Sequence, residues 1–243
     1  MRSAAVAWLL DLYGFEVYTL EGGYKNFRRW VLAQFEKEYS FRLLGGYTGS
    51  GKTELLSELK KRGEFVVDFE NLANHKGSAF GNLGMPAQPT QEHFENMLAV
   101  SLFRIMNSNT SGKEIWVEDE SQRIGDVNIP IVLWKNIRKN HIYFLDIPFE
   151  ERLKYLVDEY GKHDKERIVN AIIRIKKRLG GQETKEAINS LIEDRIADCF
   201  RILLRYYDKW YMKGLKNRDN LNELLLKIPC DRVSLENIDK LSQ

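Results

Sequence analysis

Cysteine is nearly absent from the chain: 243 residues include two, Cys199 and Cys230, with no C-x-x-C pair. The four histidines are scattered at 75, 93, 141 and 163, so a zinc centre has no support. Long hydrophobic runs are missing too. Near the start the longest, Ala4 to Leu10, is closed by Asp11 and is far too short to cross a bilayer. No small-residue cleavage site follows it, so a signal peptide is not expected. Together these absences predict a cytoplasmic protein with no membrane partner. Nor is there a large charge of one sign: 37 Lys and Arg against 35 Asp and Glu leave +2. The length suits one large or two small domains with a real core.

That small net charge is unevenly spread. From Lys162 to Arg218 there are fifteen basic residues against eight acidic, a local excess of seven that leaves −5 for the remainder. Such asymmetry permits a polyanionic partner without requiring one.

The most informative stretch is Gly46-Tyr47-Thr48-Gly49-Ser50-Gly51-Lys52-Thr53. It follows an apolar, strand-like segment, Phe41 to Leu44, and precedes a helix-like one, Glu54 to Lys61. That is the G-x-x-x-x-G-K-[ST] loop in the strand-to-helix setting that phosphate binding needs. The glycines let successive backbone N–H groups turn inward, and the helix adds the positive end of its dipole. Gly46, Thr48, Gly49, Ser50, Gly51, Lys52 and Thr53 are therefore the predicted phosphate cradle. Lys52 would reach terminal phosphate oxygens, and the Thr53 hydroxyl would hold Mg²⁺ if a metal is used.

Ahead of this loop, Ser3 to Tyr13 has helical spacing with Val6, Leu9, Leu10 and Tyr13 on one side, and Gly14 can end it. Val17 to Leu20 reads as a short strand and Tyr24 to Phe35 as a second helix, too little to build a sheet core alone. Residues 1–38 are accordingly expected to be part of another domain, and 39–243 to form the phosphate-loop domain. From Phe41 on, strands at Arg42–Leu44, Phe65–Asp68, Ile115–Glu118 and Ile142–Leu145 alternate with helices near Gln91–Met106 and Ile131–Arg138. Alternation of this kind predicts an α/β fold, a parallel sheet with helices on both faces. After Pro148 the chain becomes a helical extension from about residue 149: Glu150–Tyr160, Asp164–Leu179 capped by Asp164, and one long helix from about Lys185 to Lys213. A last strand is placed at Lys227–Ile228 or at Arg232–Ser234.

Two further regions carry chemistry. A connection from Phe69 to Pro89 is long for a compact domain and holds His75, Lys76 and Ser78, which makes it a candidate phosphate-facing loop. The strand Ile115-Trp116-Val117 ends in Glu118-Asp119-Glu120, where phosphate-loop proteins commonly place an acid that orders the Mg²⁺ shell. Asp119 is the preferred metal ligand with Thr53, and Glu118 the alternate, because a one-residue shift of register exchanges the faces. Arg123 is placed to meet an anion or to pair with these acids. Lys52, Asp68, Asp119 and Arg123 form the candidate catalytic set. In the helical extension, Arg174, Lys176, Lys177, Arg178 and Arg205 are the candidate RNA contacts. Basic residues interleaved there with Tyr206, Tyr207, Trp210 and Tyr211 suit backbone phosphates and stacked bases. A solvated face with aromatic core packing explains the same letters.

Several runs resemble the tRNA 2-selenouridine synthase family, in which a rhodanese domain precedes a phosphate-loop domain. They are Met1 to Leu10, Val17 to Lys25, the loop itself, Asp68 to Gly81 and Glu118 to Gly125. The last two are the most specific, and the likeness extends to about Tyr160. The resemblance implies transfer of geranyl from geranyl diphosphate to the sulfur of wobble 2-thiouridine in tRNA, then replacement of geranylthiol by selenium from selenophosphate. Both small substrates carry phosphate, so the loop would grip a leaving group, and ATP or GTP binding is permitted but not required. In the family a catalytic cysteine precedes the Met-Arg-Ser motif; here Met1 is that methionine. The resemblance therefore implies that residues 1–38 are the C-terminal part of a rhodanese-like domain. Either the sequence is a truncated or internally started product or a separate polypeptide would supply the rest, and the chain alone would not complete selenium transfer. Two other classes stay open: a phosphate-loop small-molecule kinase or NTPase, and a non-catalytic tRNA-binding module.

Overall fold

A computed structural model describes residues 2–78, 80–82 and 84–241. In chain order the elements are α1 (Arg2–Leu12), α2 (Gly23–Gln34), β1 (Phe41–Gly46), α3 (Lys52–Lys61), β2 (Val66–Val67), α4 (Phe69–Ala73), α5 (Gln91–Ser108), β3 (Ile115–Glu118), β4 (Arg123–Ile124), β5 (Val127–Asn128), α6 (Ile131–Ile137) and β6 (Ile142–Asp146). There follow α7 (Phe149–Tyr160), α8 (Lys165–Leu179), α9 (Gly181–Ile192), α10 (Ile196–Lys216), α11 (Leu221–Leu224), β7 (Leu225–Pro229) and a 3₁₀ turn at Leu235–Lys240.

Strand order in the five-stranded sheet is β2-β3-β1-β6-β7, and every pairing in it is parallel. The α/β class with a parallel sheet is thus as expected, and β7 takes the Lys227–Ile228 option as an edge strand. Period-two alternation sorts the side chains. Phe41 and Leu43 of β1, Ile115 and Val117 of β3, and Ile142 and Phe144 of β6 face the helices α2, α5 and α6. Leu44, Trp116 and Leu145 face the opposite way, onto Leu55, Leu56 and Leu59 of α3 and Ile238 of the 3₁₀ turn. Burying each such aliphatic side chain is worth about 1.5–3 kcal/mol, so this two-faced core fixes the register of β1 and β3. A second apolar cluster joins α7 to α10 through Leu153, Ile168, Leu191, Cys199 and Leu203.

Three local readings change. Val17 to Leu20 forms no strand; no segment among the described residues lies alongside to pair with it, and Tyr18 and Leu20 are exposed. The helix expected from Lys185 to Lys213 is two, because the turn between them puts Asp194 at φ 60° and returns Arg195 N to Ser190 O at 2.8 Å. Aspartate tolerates that left-handed geometry, and without Gly or Pro the letters give no warning of it. The Phe69 to Pro89 connection opens with α4, capped by Asp68, whose Oδ1 accepts from Asn71 N at 2.9 Å. At the N-terminus α2 packs Phe27, Trp30 and Val31 into the main core and pairs Arg28 with Glu95 of α5. The residue-38 boundary therefore lies just after a helix that shares the core of the sheet. By contrast the apolar side chains of α1, Trp8 at 66% among them, remain exposed.

Candidate phosphate-binding site

β1 is flanked by β3 on one side and β6 on the other, so its carboxyl end opens into the crevice where the strand order reverses, the usual ligand position in such sheets. The residues after it curl as the glycine spacing predicts. Gly49 and Gly51 stand at φ 80° and 72°, values open chiefly to glycine. A Cβ on Gly49 would meet Arg152 O at 3.0 Å. Lys52 Nζ donates to Gly46 O at 3.1 Å, folding the side chain back over the loop. Gly46, Thr48, Gly49, Ser50, Gly51, Lys52 and Thr53 all line a cavity of about 690 Å³.

Acids gather at Thr53. Its hydroxyl lies 3.1 Å from Glu70 Oε2 and 3.5 Å from Glu118 Oε1. Glu70, Glu118 and Glu120 each bring a carboxylate oxygen within 4.8 Å of the others. Gly77 passes directly over them, since a Cβ there would stand 2.8 Å from Glu120 Oε1. Burial comes first in raising all three pKa values; the charge of Glu70 adds to it at Glu118 and Glu120 and that of Asp68 at Glu70, while Lys52 opposes the rise. Glu120 is pushed up to about 8. A divalent cation fits this arrangement: Glu118 is 2% exposed and its Oε2 has no hydrogen-bond partner among the described residues, an unmet demand that an oxygen-seeking ion satisfies.

The candidate residues divide by position. Glu118, the alternate, reaches Thr53 because it shares the Leu44 and Trp116 face with α3; Asp119, the preferred ligand, falls on the other side. Its carboxylate accepts from Tyr211 Oη at 2.7 Å and forms an ion pair with Arg218. Asp68 is occupied in capping α4 and does not line the cavity. Arg123 lies in the β4–β5 hairpin with its side chain 70% exposed, near Asp126, away from the cavity. Of the long connection, Lys76 and Ser78 line the cavity and His75 does not. Lys76 pairs with Glu159, whereas the buried His75 ring has its pKa lowered, chiefly by desolvation.

The aromatic half of the basic–aromatic pattern turns inward: Tyr206, Tyr207, Trp210 and Tyr211 line the cavity. Among the candidate RNA contacts only Arg178 does so, its guanidinium 5.4 Å from the Trp210 ring. Arg174, Lys176, Lys177 and Arg205 stay on the exposed surface, with Arg174 donating to Asn82 at 3.1 Å.

Residues 39–225 match the family model described as the tRNA 2-selenouridine synthase AAA domain. The chain belongs to the tRNA 2-selenouridine synthase family. Relatives named tRNA 2-selenouridine synthase include one from Sulfurovum sp. (strain NBC37-1), 34% identical over 85% of this chain and 63% of its own length. Another, from Hydrogenovibrio crunogenus, is 36% identical over 87% of this chain and 65% of its own. A third, from Pseudomonas putida, is 31% identical over 87% and 64%. The chain thus spans somewhat under two thirds of the length of these curated relatives.

In this member of the tRNA 2-selenouridine synthase family, several site residues carried no sequence signal of their own. Arg152 is buried, donates to Thr48 O at 3.1 Å and grips Asp208 with both Nη atoms at 2.9 and 2.8 Å. It reads in the sequence as an ordinary helix arginine. Glu70 and Glu120 lay within motifs already marked, but only the fold brings them to Thr53.

The carboxylate cluster sets a pH dependence. A carboxyl whose pKa rises on folding holds its proton more tightly folded than unfolded. Its stabilising effect is full below the ordinary glutamate value near 4.5 and is lost as pH climbs through the folded value, about 8 for Glu120. The metal-free chain is therefore expected to unfold more readily in urea at pH 8.5 than at pH 6. The difference should be on the order of 2 kcal/mol, since a tenfold change in proton affinity is worth about 1.4 kcal/mol before screening by cavity water. Glu120→Gln should flatten that trend and added Mg²⁺ should reverse it. Stability that rises between the two pH values would refute it.

Proposed function

We propose that this chain grips the diphosphate of geranyl diphosphate in the Gly46–Thr53 loop and presents the geranyl carbon to wobble 2-thiouridine of a tRNA. The observation that carries the reading is the loop's position in one cavity with an aromatic wall. Lys52 and inward backbone N–H groups suit phosphate oxygens, while Tyr206, Trp210 and Tyr160 offer faces for a ten-carbon chain and a base. In the proposed step the thiouridine sulfur attacks C1 of the geranyl group and the C1–O bond breaks. The diphosphate departs with the electron pair, and the N3 proton is released. Lys52 and the loop amides stabilise the charge gathering on the leaving group. Thr53, Glu70, Glu118 and Glu120 would hold Mg²⁺, which supplies further neutralisation of that charge. In the later step the selenium of selenophosphate adds at C2 of the base, geranylthiol leaves with the sulfur, and water cleaves the Se–P bond to release phosphate.

Neither thiol of this chain is assigned to selenium transfer. Cys199 and Cys230 are buried, and desolvation pushes Cys199 up to about 12, far from the thiolate a nucleophile requires. The N-terminal residues 1–38 are read as part of a rhodanese-like unit and 39–243 as the phosphate-loop unit.

The test is a titration of the full chain with geranyl diphosphate and with ATP, each with and without Mg²⁺. Geranyl diphosphate should bind more tightly than inorganic pyrophosphate, because the chain buries apolar surface worth roughly 0.8 kcal/mol per CH₂. Binding and turnover of ATP with indifference to geranyl diphosphate would instead make the protein a kinase or NTPase.

A further inference from the structure

Across the Asp119–Tyr211 contact from the glycine loop, the same cavity carries a pair of arginines that the foregoing reaction leaves unused. Arg218 follows α10 and is 7% exposed. One nitrogen of its guanidinium, Nη2, pairs with Asp119. Its Nε and Nη1 have no hydrogen-bond partner among the described residues. Arg138, just past α6, donates from Nη2 to Asn217 O at 3.2 Å and lies 4.7 Å over the Trp134 ring. Both arginines line the cavity. Desolvation, followed by the neighbouring charge of Arg218, lowers the pKa of Arg138, so the two guanidinium groups feel one another. Asp119 pairs directly with Arg218, and the charges of Asp119 and Asp219 partly offset that of Arg138.

Unpartnered donors on a buried cation are costly, because each has given up water without gaining a partner. Each guanidinium offers N–H donors in the planar fork that binds phosphate oxygens in pairs, and both groups line the one cavity. We propose that Arg138 and Arg218 form a second anion subsite, separate from the glycine loop, that takes a phosphate group. Its occupant is either a backbone phosphodiester of an RNA entering past Trp210 or a second small phosphate-bearing molecule. The ligand chemistry is the same in both cases. As an account of RNA entry, this deepens the reading of the cavity given above; as an anion site, it stands on the arginine geometry alone.

Arg138→Ala tests it in the full chain, because Arg138 is only half-buried at a helix end and its loss leaves no buried charge unpaired. Arg218→Lys is the second variant: it keeps a cation beside Asp119 but removes the fork. The probes are an unmodified RNA anticodon stem–loop hairpin, inorganic phosphate and inorganic pyrophosphate. If the subsite takes the backbone, Arg138→Ala weakens hairpin binding about tenfold and lowers the slope of log K against log salt by about one, with pyrophosphate affinity unchanged. If it takes a free anion, the stoichiometry of inorganic phosphate falls by one site in the variant. Either result supports the subsite and identifies its source. Wild-type binding of all three probes by Arg138→Ala overturns it. Lys52→Ala in parallel keeps the two ideas apart: undiminished pyrophosphate binding in that variant removes the glycine-loop reading and leaves the arginine pair to be judged on the hairpin and phosphate data.

Discussion

Lys52→Ala should weaken pyrophosphate and geranyl diphosphate binding about a hundredfold, as read by calorimetric titration at pH 7.5. A hydrogen bond to a charged group contributes roughly 1.5–3 kcal/mol, and here the anion also loses the one cation that the loop itself supplies. Without ligand, Lys52 bonds Gly46 O and its charge restrains the upward pKa shifts of Glu70, Glu118 and Glu120. Removing it leaves three crowded carboxylates with less compensation, so they take up protons more readily and repel a diphosphate more strongly when ionised. Affinity in the variant should thus fall further as pH rises from 6 to 8.5. Lys52→Arg should recover part of the affinity, since it restores charge without the compact ammonium that the loop curls around. Affinities within twofold of wild type for Lys52→Ala would mean that the diphosphate lies elsewhere.

Much of this site was legible because its chemistry is local in sequence. The glycine loop is one contiguous run whose strand and helix flank it directly, so the spacing alone placed Lys52 and Thr53. The parallel sheet followed from alternation that the core confirms in Leu43 and Leu44 facing opposite layers. What the letters could not decide was which of Glu118 and Asp119 meets Thr53. The answer depends on where β3 pairs with β1, Leu44 opposite Glu118, and neighbouring strands are set by long-range packing. Arg123 illustrates the same limit. Close after the acids in sequence, it looks like a partner for them, yet the short β4–β5 hairpin turns it outward to Asp126. Arg152, Arg218 and Tyr211 are distant in sequence from everything they touch at the site. Their importance comes from helices α7 and α10 closing over the loop, which no short pattern encodes. The broken helix at Asp194 was hidden because the residue adopting φ 60° is neither glycine nor asparagine.

Arg152→Ala should be the most destabilising single substitution in the phosphate-loop region, at about 3–5 kcal/mol, the usual effect of stripping one partner from a buried ion pair. Several contacts go at once. The guanidinium grips Asp208 with two nitrogens, donates to Thr48 O and Ile147 O, and covers the Tyr47 ring at 4.7 Å. Its loss leaves Asp208 partly buried without its cation and two carbonyls without their donor. At roughly 2–4 °C per kcal/mol for a chain of this size, the melting temperature should drop by about 10 °C. The loop should loosen as well, because Thr48 is held to α7 by this donor. Pyrophosphate affinity measured well below the new melting point should therefore fall, with a lower association rate as the cradle spends less time formed. Arg152→Lys separates the two effects. It keeps a positive charge near Asp208 but cannot span Asp208, Thr48 and Ile147 together, so it should regain part of the stability and little of the affinity. A Lys variant with full affinity would show that charge alone, and not the fork joining α7 and α10 to the loop, holds the phosphate cradle in shape.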